Sequence, residues 1–486
     1  MNTAYAMTKP SSGAVQVPPH ERIVLPNGAT LIVVPRRDVP LVAFQAVVRG
    51  GPACDPRGGS EGRGDAAAGS ASPECVAGVA SLVAGLLEKG AGERDAFAFA
   101  DAVEGAGGNF SVTPGAEALS INGQYLARDQ HLMIELLADA LIRPRFDESE
   151  LRKLRDRRIE LIKATKDSDP AELIGVYGRA QLFGAQHPFG QPTGGSEASL
   201  ASIKHEHVLA YYADHFGADR LILVVAGDLD VPALRRQVQE AFGGWRRAGT
   251  ALARAPESPR SHGRRVLLVD SPESAQTYFW LANVGVNKRY PQHAALDLVN
   301  TLYGGRFTSM LNTELRIKSG LSYSARAGFF RGTVAGEFAI RSFTDTANTR
   351  KALDLSLDTL SRLKRDGVTT EMLESARAYV MGQYPLSFET AADWAGALAE
   401  LEFYDLDASY IEEYDQMLRA VTLDDARQVI DEAFPHPDDL TIVLVGDAKK
   451  IRRVARRYGP VTVMSITQPE FVPGPNARHS APLLLP

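Results

Sequence analysis

The same short apolar run occurs twice in the chain, and this repeat decides the predicted fold. The two copies read Leu221-Ile-Leu-Val-Val-Ala-Gly-Asp228 and Leu440-Thr-Ile-Val-Leu-Val-Gly-Asp447. Apolar and β-branched residues closed by Gly-Asp are typical of a buried strand that ends in a turn. A segment of helical pattern precedes each run, Ile203 to Phe216 in the first half and Val421 to Phe434 in the second. The two halves therefore share the order of their last elements.

A third pair of segments extends the repeat towards the N-terminus of each half. Phe146-Asp-Glu-Ser-Glu-Leu151 with Arg155 parallels Val368-Thr-Thr-Glu-Met-Leu373 with Arg377. The three matches keep their order at offsets of 218 to 222 residues, which indicates a duplication. Strands open each half and helices dominate its middle, a segregation typical of an α+β fold. The sequence thus predicts two homologous α+β domains in tandem.

The domain boundaries follow from this repeat and from the composition between the copies. We expect a flexible N-terminal segment at 1–19, a first domain at 20–245 and a second domain at 265–467. Residues 246–264 are polar and Pro-rich without a period, as linkers are. Residues 468–486 are again rich in Pro and are expected to form a loose tail.

Composition and charge restrict the classes of function. Hydrophobic residues make up 44% and charged residues 23%, and the net charge is −6, without a basic stripe of the kind that binds nucleic acid. No run approaches the roughly 18 apolar residues of a membrane-spanning helix. The start, Met1 to Pro19, lacks the basic and apolar regions of a signal peptide. We expect a cytoplasmic chain, or a periplasmic one if a signal peptide has been removed.

The two cysteines, Cys54 and Cys75, lie at the ends of a low-complexity segment, Pro52 to Glu74. They are two unrelated thiols or a disulfide that closes the base of this segment, and the sequence leaves both possibilities open.

A glycine- and alanine-rich helix carries the most informative motif for function. It reads Gly78-Val-Ala-Ser-Leu-Val-Ala-Gly-Leu-Leu-Glu-Lys-Gly-Ala-Gly92. This stretch resembles the zinc helix of the pitrilysin/insulinase-like metallopeptidases, Gly-Leu-Ala-His-x-x-Glu-His, an apolar pair and Lys-Gly. In that register Ser81 and Gly85 replace the two histidines and Ala84 replaces the glutamate. Serine, alanine and glycine can neither hold zinc as histidines four residues apart do nor activate water as the glutamate does.

The third zinc ligand of this family is a glutamate on a later helix, and the resemblance places it at Leu161. Glu160 is adjacent, but one carboxylate without histidines makes no zinc site, and we interpret it as part of a solvated helix face. The resemblance therefore implies a peptidase scaffold without a metal site in this chain.

Other segments resemble the same family in the same order. They are Leu25 to Val34, Gly107 to Ser111, His187 to Gly195, and Gly304-Gly305 followed by Leu311 to Tyr323. In the family, the strand after the zinc helix accepts substrate as an added strand. The resemblance thus implies a possible peptide-binding edge at Gly108, Asn109, Phe110 and Ser111.

Arg316 and Tyr323 are the candidate catalytic residues. In the family an Arg and a Tyr at this spacing reach the zinc site from the C-terminal half. The Tyr hydroxyl donates to the substrate carbonyl as it becomes an oxyanion, and the Arg holds a neighbouring peptide carbonyl. The simpler interpretation, a surface Arg and a half-buried strand Tyr, stays open.

Local sequence patterns predict the helix that carries Arg316 and the strand that carries Tyr323. Phe307, Leu311 and Leu315 follow a helical period and predict an apolar face that leaves Arg316 outside the core. Gly320 is the expected helix end, and Tyr323 is expected to open a strand from Leu321 to Phe330.

A chain that lacks the metal ligands but keeps this pair suggests the non-catalytic subunit of a heteromeric zinc metallopeptidase. The expected assembly is a bacterial heterodimer, similar to processing peptidases, in which two chains enclose a chamber like a clam shell. A homologous subunit with the His-x-x-Glu-His motif would supply the zinc, peptides would be the substrates, and this chain would carry no cofactor. The alternative is a scaffold subunit that has no part in proteolysis.

Overall fold

The computed structural model describes residues 14–55, 76–184, 187–252, 255–258, 260–474 and 477–480. The strands are β1 (Glu21–Val24), β2 (Thr30–Pro35), β3 (Leu41–Arg49), β4 (Gly90–Ala91), β5 (Arg94–Asp95), β6 (Asn109–Pro114), β7 (Ala118–Leu126), β8 (Leu221–Gly227), β9 (Arg265–Asp270), β10 (Gln276–Gly285), β11 (Ala325–Arg331), β12 (Gly336–Asp345), β13 (Thr441–Gly446), β14 (Val461–Ser465) and β15 (Arg478–Ser480).

The α-helices are α1 (Val79–Leu86), α2 (Ala96–Gly105), α3 (Gln130–Ile142), α4 (Glu148–Ser168), α5 (Ile174–Phe183), α6 (Glu197–Ser202), α7 (His205–His215), α8 (Val231–Phe242), α9 (His293–Asn300), α10 (Met310–Asn312), α11 (Thr349–Asp366), α12 (Thr370–Gln383), α13 (Ala391–Tyr404), α14 (Ser409–Glu412), α15 (Tyr414–Ala420), α16 (Leu423–Glu432) and α17 (Ala448–Ala455). Wider π-helical turns continue α9 over Thr301–Gly305 and α10 over Thr313–Lys318.

Two mixed sheets share the topology of five strands. The first has the order β6-β7-β3-β8-β2-β1 and the second β11-β12-β10-β13-β9-β14-β15. In both sheets the first four strands alternate in direction and the fifth pairs parallel with the fourth. The repeated apolar runs form β8 and β13, so Asp228 and Asp447 follow equivalent strand ends. The mixed α and β architecture with two related halves agrees with the tandem arrangement predicted from the repeat.

A pair of equivalent arginines shows that the duplication extends to single contacts. Arg155 on α4 donates to the carbonyl oxygen of Ile203 at 3.2 Å. Arg377 on α12 donates to the carbonyl oxygen of Val421 at 2.6 Å. Ile203 and Val421 precede the matching helices α7 and α16, so each arginine ties two helices of its half together in the same way.

The halves exchange one helix each. Helix α13, from the second half, packs on β3 and β8 of the first sheet through apolar side chains that include Trp394 and Leu398. Helix α5, from the first half, packs on β10 and β13 of the second sheet. Each sheet thus has its own helices on one face and a helix of the other half on the opposite face. The domain boundaries predicted from the sequence assign each of these helices to its own half and do not anticipate this exchange.

The predicted terminal segments pack on the fold where the structure describes them. The backbone amide of Val17 donates to the Glu412 carboxylate at 3.1 Å. Phe471 is buried, and β15 pairs with β14, so the described residues 468–474 and 477–480 are not the loose tail expected. Cys54 ends a short 3₁₀ helix that begins at Gly51, whereas Cys75 lies outside the described residues.

The tips of two equivalent hairpins meet between the halves. Glu117, in the β6–β7 turn, accepts a hydrogen bond from the Thr333 amide at 2.9 Å and another from the Thr333 hydroxyl. Burial raises the pKa of the Glu117 carboxyl above its ordinary value, while the two hydrogen bonds oppose the shift. This contact joins the first half to the β11–β12 turn of the second.

Gly178→Ala tests the helix exchange. An added Cβ would lie 2.6 Å from the indole Cδ2 of Trp280, which is fully buried on β10. We expect a loss of about 1–3 kcal/mol in the free energy of unfolding, because overpacking outweighs the gain in helix propensity. Gly396→Ala on α13 is the matched control, since its Cβ would meet nothing within 4 Å, and it should stabilise by up to about 1 kcal/mol. If both variants changed the free energy of unfolding in urea by the same amount, the packing of α5 on the second sheet would be contradicted.

Glu117→Gln tests the hairpin contact through its pH dependence. A raised pKa means that the folded chain holds the proton more tightly than the unfolded chain. The stability from this group is therefore complete below the unfolded pKa of about 4.5 and is lost as the pH rises through the folded pKa. Glutamine keeps an acceptor without the charge, so the variant should gain in melting temperature relative to the wild type between pH 4 and pH 8. A constant difference across that range would contradict the burial of Glu117.

Candidate functional site

Helix α1 is a packed core helix at the position of the predicted zinc motif. Its first turn is held by Asp55, whose carboxylate accepts from the amides of Gly78 and Ala80 at 2.7 and 3.0 Å. Gly78 has φ 96°, and an added Cβ would lie 2.7 Å from the Cα of Gly195, so this turn requires glycine. Ser81 is 2% exposed. The helix is therefore fixed in place without any metal.

Helix α4 covers the face of α1 where the metal would be bound. A Cβ at Gly85 would lie 2.8 Å from Leu154 and 3.2 Å from the Arg158 guanidinium. Arg158 also donates from Nη2 to the carbonyl oxygen of Ser81 at 2.8 Å. Burial lowers the pKa of the Arg158 guanidinium below its ordinary value. A cation thus lies beside the position that a second histidine would need.

The residues at the four zinc-motif positions do not fit a zinc site. At the three ligand positions Leu161 has no donor atom, Gly85 has no side chain, and Ser81 offers a single hydroxyl. Ala84, at the position of the water-activating glutamate, has no carboxylate. Leu161, 63% exposed, lines the same cavity as Ser81. Among the residues that the structure describes, no group of three or more His, Cys, Asp or Glu side chains could hold a metal ion.

The purified chain should therefore bind no stoichiometric zinc and show no chelator-sensitive peptidase activity by itself. Elemental analysis and a peptide-cleavage assay with and without a chelator check this directly. One zinc per chain, or an activity that a chelator removes and zinc restores, would contradict the assignment.

Arg316 and Tyr323 lie together on the surface of the second half. The Arg316 guanidinium carbon lies 4.3 Å from the centre of the Tyr323 ring and 4.8 Å from that of Phe307. The cation is thus held by two aromatic faces. Tyr323 is 72% exposed, so its hydroxyl is open to another molecule.

The loop that carries Tyr323 is anchored on both sides. The Ser322 amide donates to the Leu315 carbonyl at 3.0 Å, which ties the loop to the preceding helical turn. Two residues of β12 hold the other side. The Ser342 hydroxyl donates to Ser322 Oγ, and the Thr344 hydroxyl donates to the Leu321 carbonyl. The backbone that presents Tyr323 is thus tied to the preceding helical turn on one side and to β12 on the other.

Two expectations about this region are wrong. Tyr323 does not open a strand, because β11 begins at Ala325 and residues 321–324 form bends held by side-chain hydrogen bonds. Leu311 and Leu315 are buried as predicted, but Phe307 is 59% exposed. Phe307 precedes α10, so the assumed helical period does not apply to it, and it contacts Arg316 instead of the core.

The predicted peptide-binding edge lies on β6, at the edge of the first sheet. Phe110 contacts Phe99 of the core, and Asn109 and Ser111 are exposed. Gly108 precedes the strand, where a Cβ would lie 2.4 Å from the Tyr125 ring. The Val112 amide already donates to Glu88 at 2.6 Å, so it is not available to an added strand.

The Arg316/Tyr323 pair and the former metal position lie at opposite ends of β11. Tyr323 is two residues before the strand, and Phe330 near its other end lines the same cavity as Ser81. A strand rises about 3.3 Å per residue, so Ala325 to Phe330 span roughly 17 Å. The pair therefore does not reach the Ser81 position of its own chain.

Sequence patterns did not identify Arg158. It lies among the charged residues of α4, a helix whose composition predicts a solvated surface. The sequence did contain one indication that Arg158 lies near the motif. Arg158 is three residues before Leu161, a zinc-motif position, so the two residues share one face of the helix.

These features define a protein with two related peptidase-type domains and no metal ligands at the position of the zinc helix. Residues 67–174 match the family described as insulinase (peptidase family M16), and residues 202–380 match the peptidase M16 inactive domain. The chain belongs to the M16 peptidase family.

Relatives include both named proteases and a named non-peptidase. The uncharacterized zinc protease YmxG of Bacillus subtilis is 26% identical over 66% of this chain and 76% of its own length. The non-peptidase homolog YmxG of Helicobacter pylori is 24% identical over 79% of this chain and 87% of its own length.

Solved structures share the fold. The peptidase M16 inactive domain from Pseudomonas fluorescens superposes with a TM-score of 0.78, at 22% identity over 88% of this chain and 98% of that one. A protease from Helicobacter pylori gives a TM-score of 0.76, at 18% identity over 88% and 99%. The inactive-domain match and the non-peptidase relative, together with the replaced ligand positions of α1, support a non-catalytic member of the family.

Proposed function

We propose that this chain is the non-catalytic subunit of a heteromeric zinc metallopeptidase and supplies Arg316 and Tyr323 to an active site that is completed by a partner. The supporting observation is the arrangement of this pair. Tyr323 is exposed on an anchored loop, the half-buried Arg316 lies against two aromatic rings, and the pair is separated from the chain's own degenerate helix by the length of β11.

The chemistry of the two side chains suits peptide hydrolysis in trans. The exposed Tyr323 hydroxyl is a donor for a carbonyl oxygen that becomes an oxyanion, a form of stabilisation typical of acyl-transfer sites. Arg316 offers charged donors to a neighbouring peptide carbonyl. Zinc, its ligands and the general base belong to the proposed partner, a homologous subunit with the His-x-x-Glu-His motif, and this chain contributes no cofactor.

The proposed heterodimer encloses a chamber between two clam-shell halves, and its substrates are peptides or unfolded segments. The β6 edge is the proposed recruitment surface. Because Glu88 accepts from the Val112 amide, strand addition is restricted to the region of Asn109 to Ser111. Among the described helices none is long and apolar enough to span a membrane.

Kinetics of the complex with its zinc-bearing partner test the roles of the pair. Tyr323→Phe keeps the ring under Arg316 but removes the donor, so kcat should fall roughly 10²–10³-fold, about 3–4 kcal/mol. Arg316→Ala should raise KM more than it lowers kcat, because it removes a ground-state contact. The measurement is steady-state cleavage of a quenched fluorescent peptide.

A second arginine–tyrosine stack provides the matched control. Arg306 lies 5.9 Å from the ring centre of the half-exposed Tyr379 on α12. Tyr379→Phe and Arg306→Ala should leave both kinetic constants near the wild-type values. Wild-type kcat/KM in the Tyr323 and Arg316 variants would instead favour a scaffold subunit without a role in proteolysis.

A further inference from the structure

A cavity of about 390 Å³ lies at the former metal position, between the first half and the edge of the second sheet. Its size falls within the range of about 300–1,000 Å³ that is usual for ligand pockets. Most of its wall is apolar, and the side chains that carry the argument are Leu161, Ile162, Leu173, Val176, Phe189 and Phe330. An apolar body of small size would therefore be well covered here.

The charged groups of this wall are all cationic. Arg158 and Arg179 line the cavity, and no Asp or Glu belongs to its lining among the described residues. Arg179 shares a counter-ion, since its Nε lies 3.6 Å from the buried carboxylate of Glu337, which also accepts from Arg341 at 3.1 Å. Arg158 has no carboxylate partner among the described residues, and it is the cation of the cavity wall that an anion would pair with.

The guanidinium of Arg158 has a hydrogen-bond partner for only part of its N–H groups. Its Nη2 donates to the Ser81 carbonyl, but its Nη1 is buried and has no hydrogen-bond partner in the described part of the chain. Burial lowers the pKa of its guanidinium, and among the described residues no carboxylate opposes this shift. A buried charge without a partner is costly. A ligand that brings an anion to Nη1 would remove this cost.

We propose that this cavity is a binding site for an apolar monocarboxylate, whose carboxylate pairs with Arg158 and whose apolar body lies against Phe189 and Phe330. The planar guanidinium matches carboxylate geometry. A single unpaired cation suits a monoanion better than a dianionic phosphate. The site goes beyond the proposed peptidase role, because it lies at the opposite end of β11 from Tyr323 and requires no partner chain.

Two sources share this ligand chemistry, a free acyl carboxylate and the C-terminus of a peptide that ends in an apolar residue. Isothermal titration calorimetry on the full chain compares octanoate with octanamide, and N-acetyl-Leu-Phe with its C-terminal amide. Each acid should bind at least about tenfold more tightly than its amide, since a charge-assisted hydrogen bond is lost in the amide. The tighter of the two acids identifies the source.

Variants of α4 assign the binding to Arg158. Arg158→Met should lower the binding affinity for the acids by about 10- to 100-fold and leave the affinity for the amides unchanged. Arg157→Met, the same change at the exposed neighbouring position, should bind as the wild type does. Arg158→Lys keeps a charge but loses the planar fork, so an intermediate affinity is expected even if the methionine variant does not fold.

The acid and amide comparison on the wild-type chain decides the proposal without any variant. Equal binding of acid and amide, or no binding of either acid at millimolar concentration, would overturn it. Unchanged acid affinity in a folded Arg158→Met chain would overturn it as well. None of these results depends on the zinc-bearing partner, so they are independent of the proposed role of Tyr323.

Discussion

The packing of α5 and α13 on the sheets of the opposite halves is the constraint on which the rest of this structure depends. Each sheet has apolar side chains on both faces, and each half places its other helices on only one of them. Gly178 allows α5 to approach the Trp280 ring closely enough to cover the second face. The duplicated halves therefore form one packed unit, and this fixes the positions of β6, β11 and the cavity between them.

A guanidinium lies against α1 at the position of the zinc motif. Arg158 provides this positive charge and donates to the Ser81 carbonyl. Leu154 and Arg158 occupy the space beside Gly85, so a return of the second histidine would require α4 to repack. The degenerate helix is thus an integrated core element, and its substitutions are compatible with each other.

The second half presents an arginine–tyrosine pair on its surface, whereas α1 of the first half carries no zinc ligands. Arg316 packs between Phe307 and Tyr323, and the loop after it bonds to β12. An exposed tyrosine on an anchored loop is well placed to contact another molecule. This contrast between the two halves is the physical basis for the proposal that the chain contributes to an active site shared with a partner.

The sequence by itself determined the duplication, the strands β8 and β13, and the lack of zinc ligands on α1, because each is encoded within a few residues. Apolar runs report burial, and a missing histidine removes a ligand in any fold. Only the tertiary structure showed the exchanged helices, the start of β11 after Tyr323, the exposure of Phe307, and the place of Arg158 beside Ser81. A local pattern shows that a face is apolar but not which distant element covers it. Likewise, the charged sequence of α4 cannot show which of its arginines is turned towards the interior, since that depends on the packing of α4 against α1.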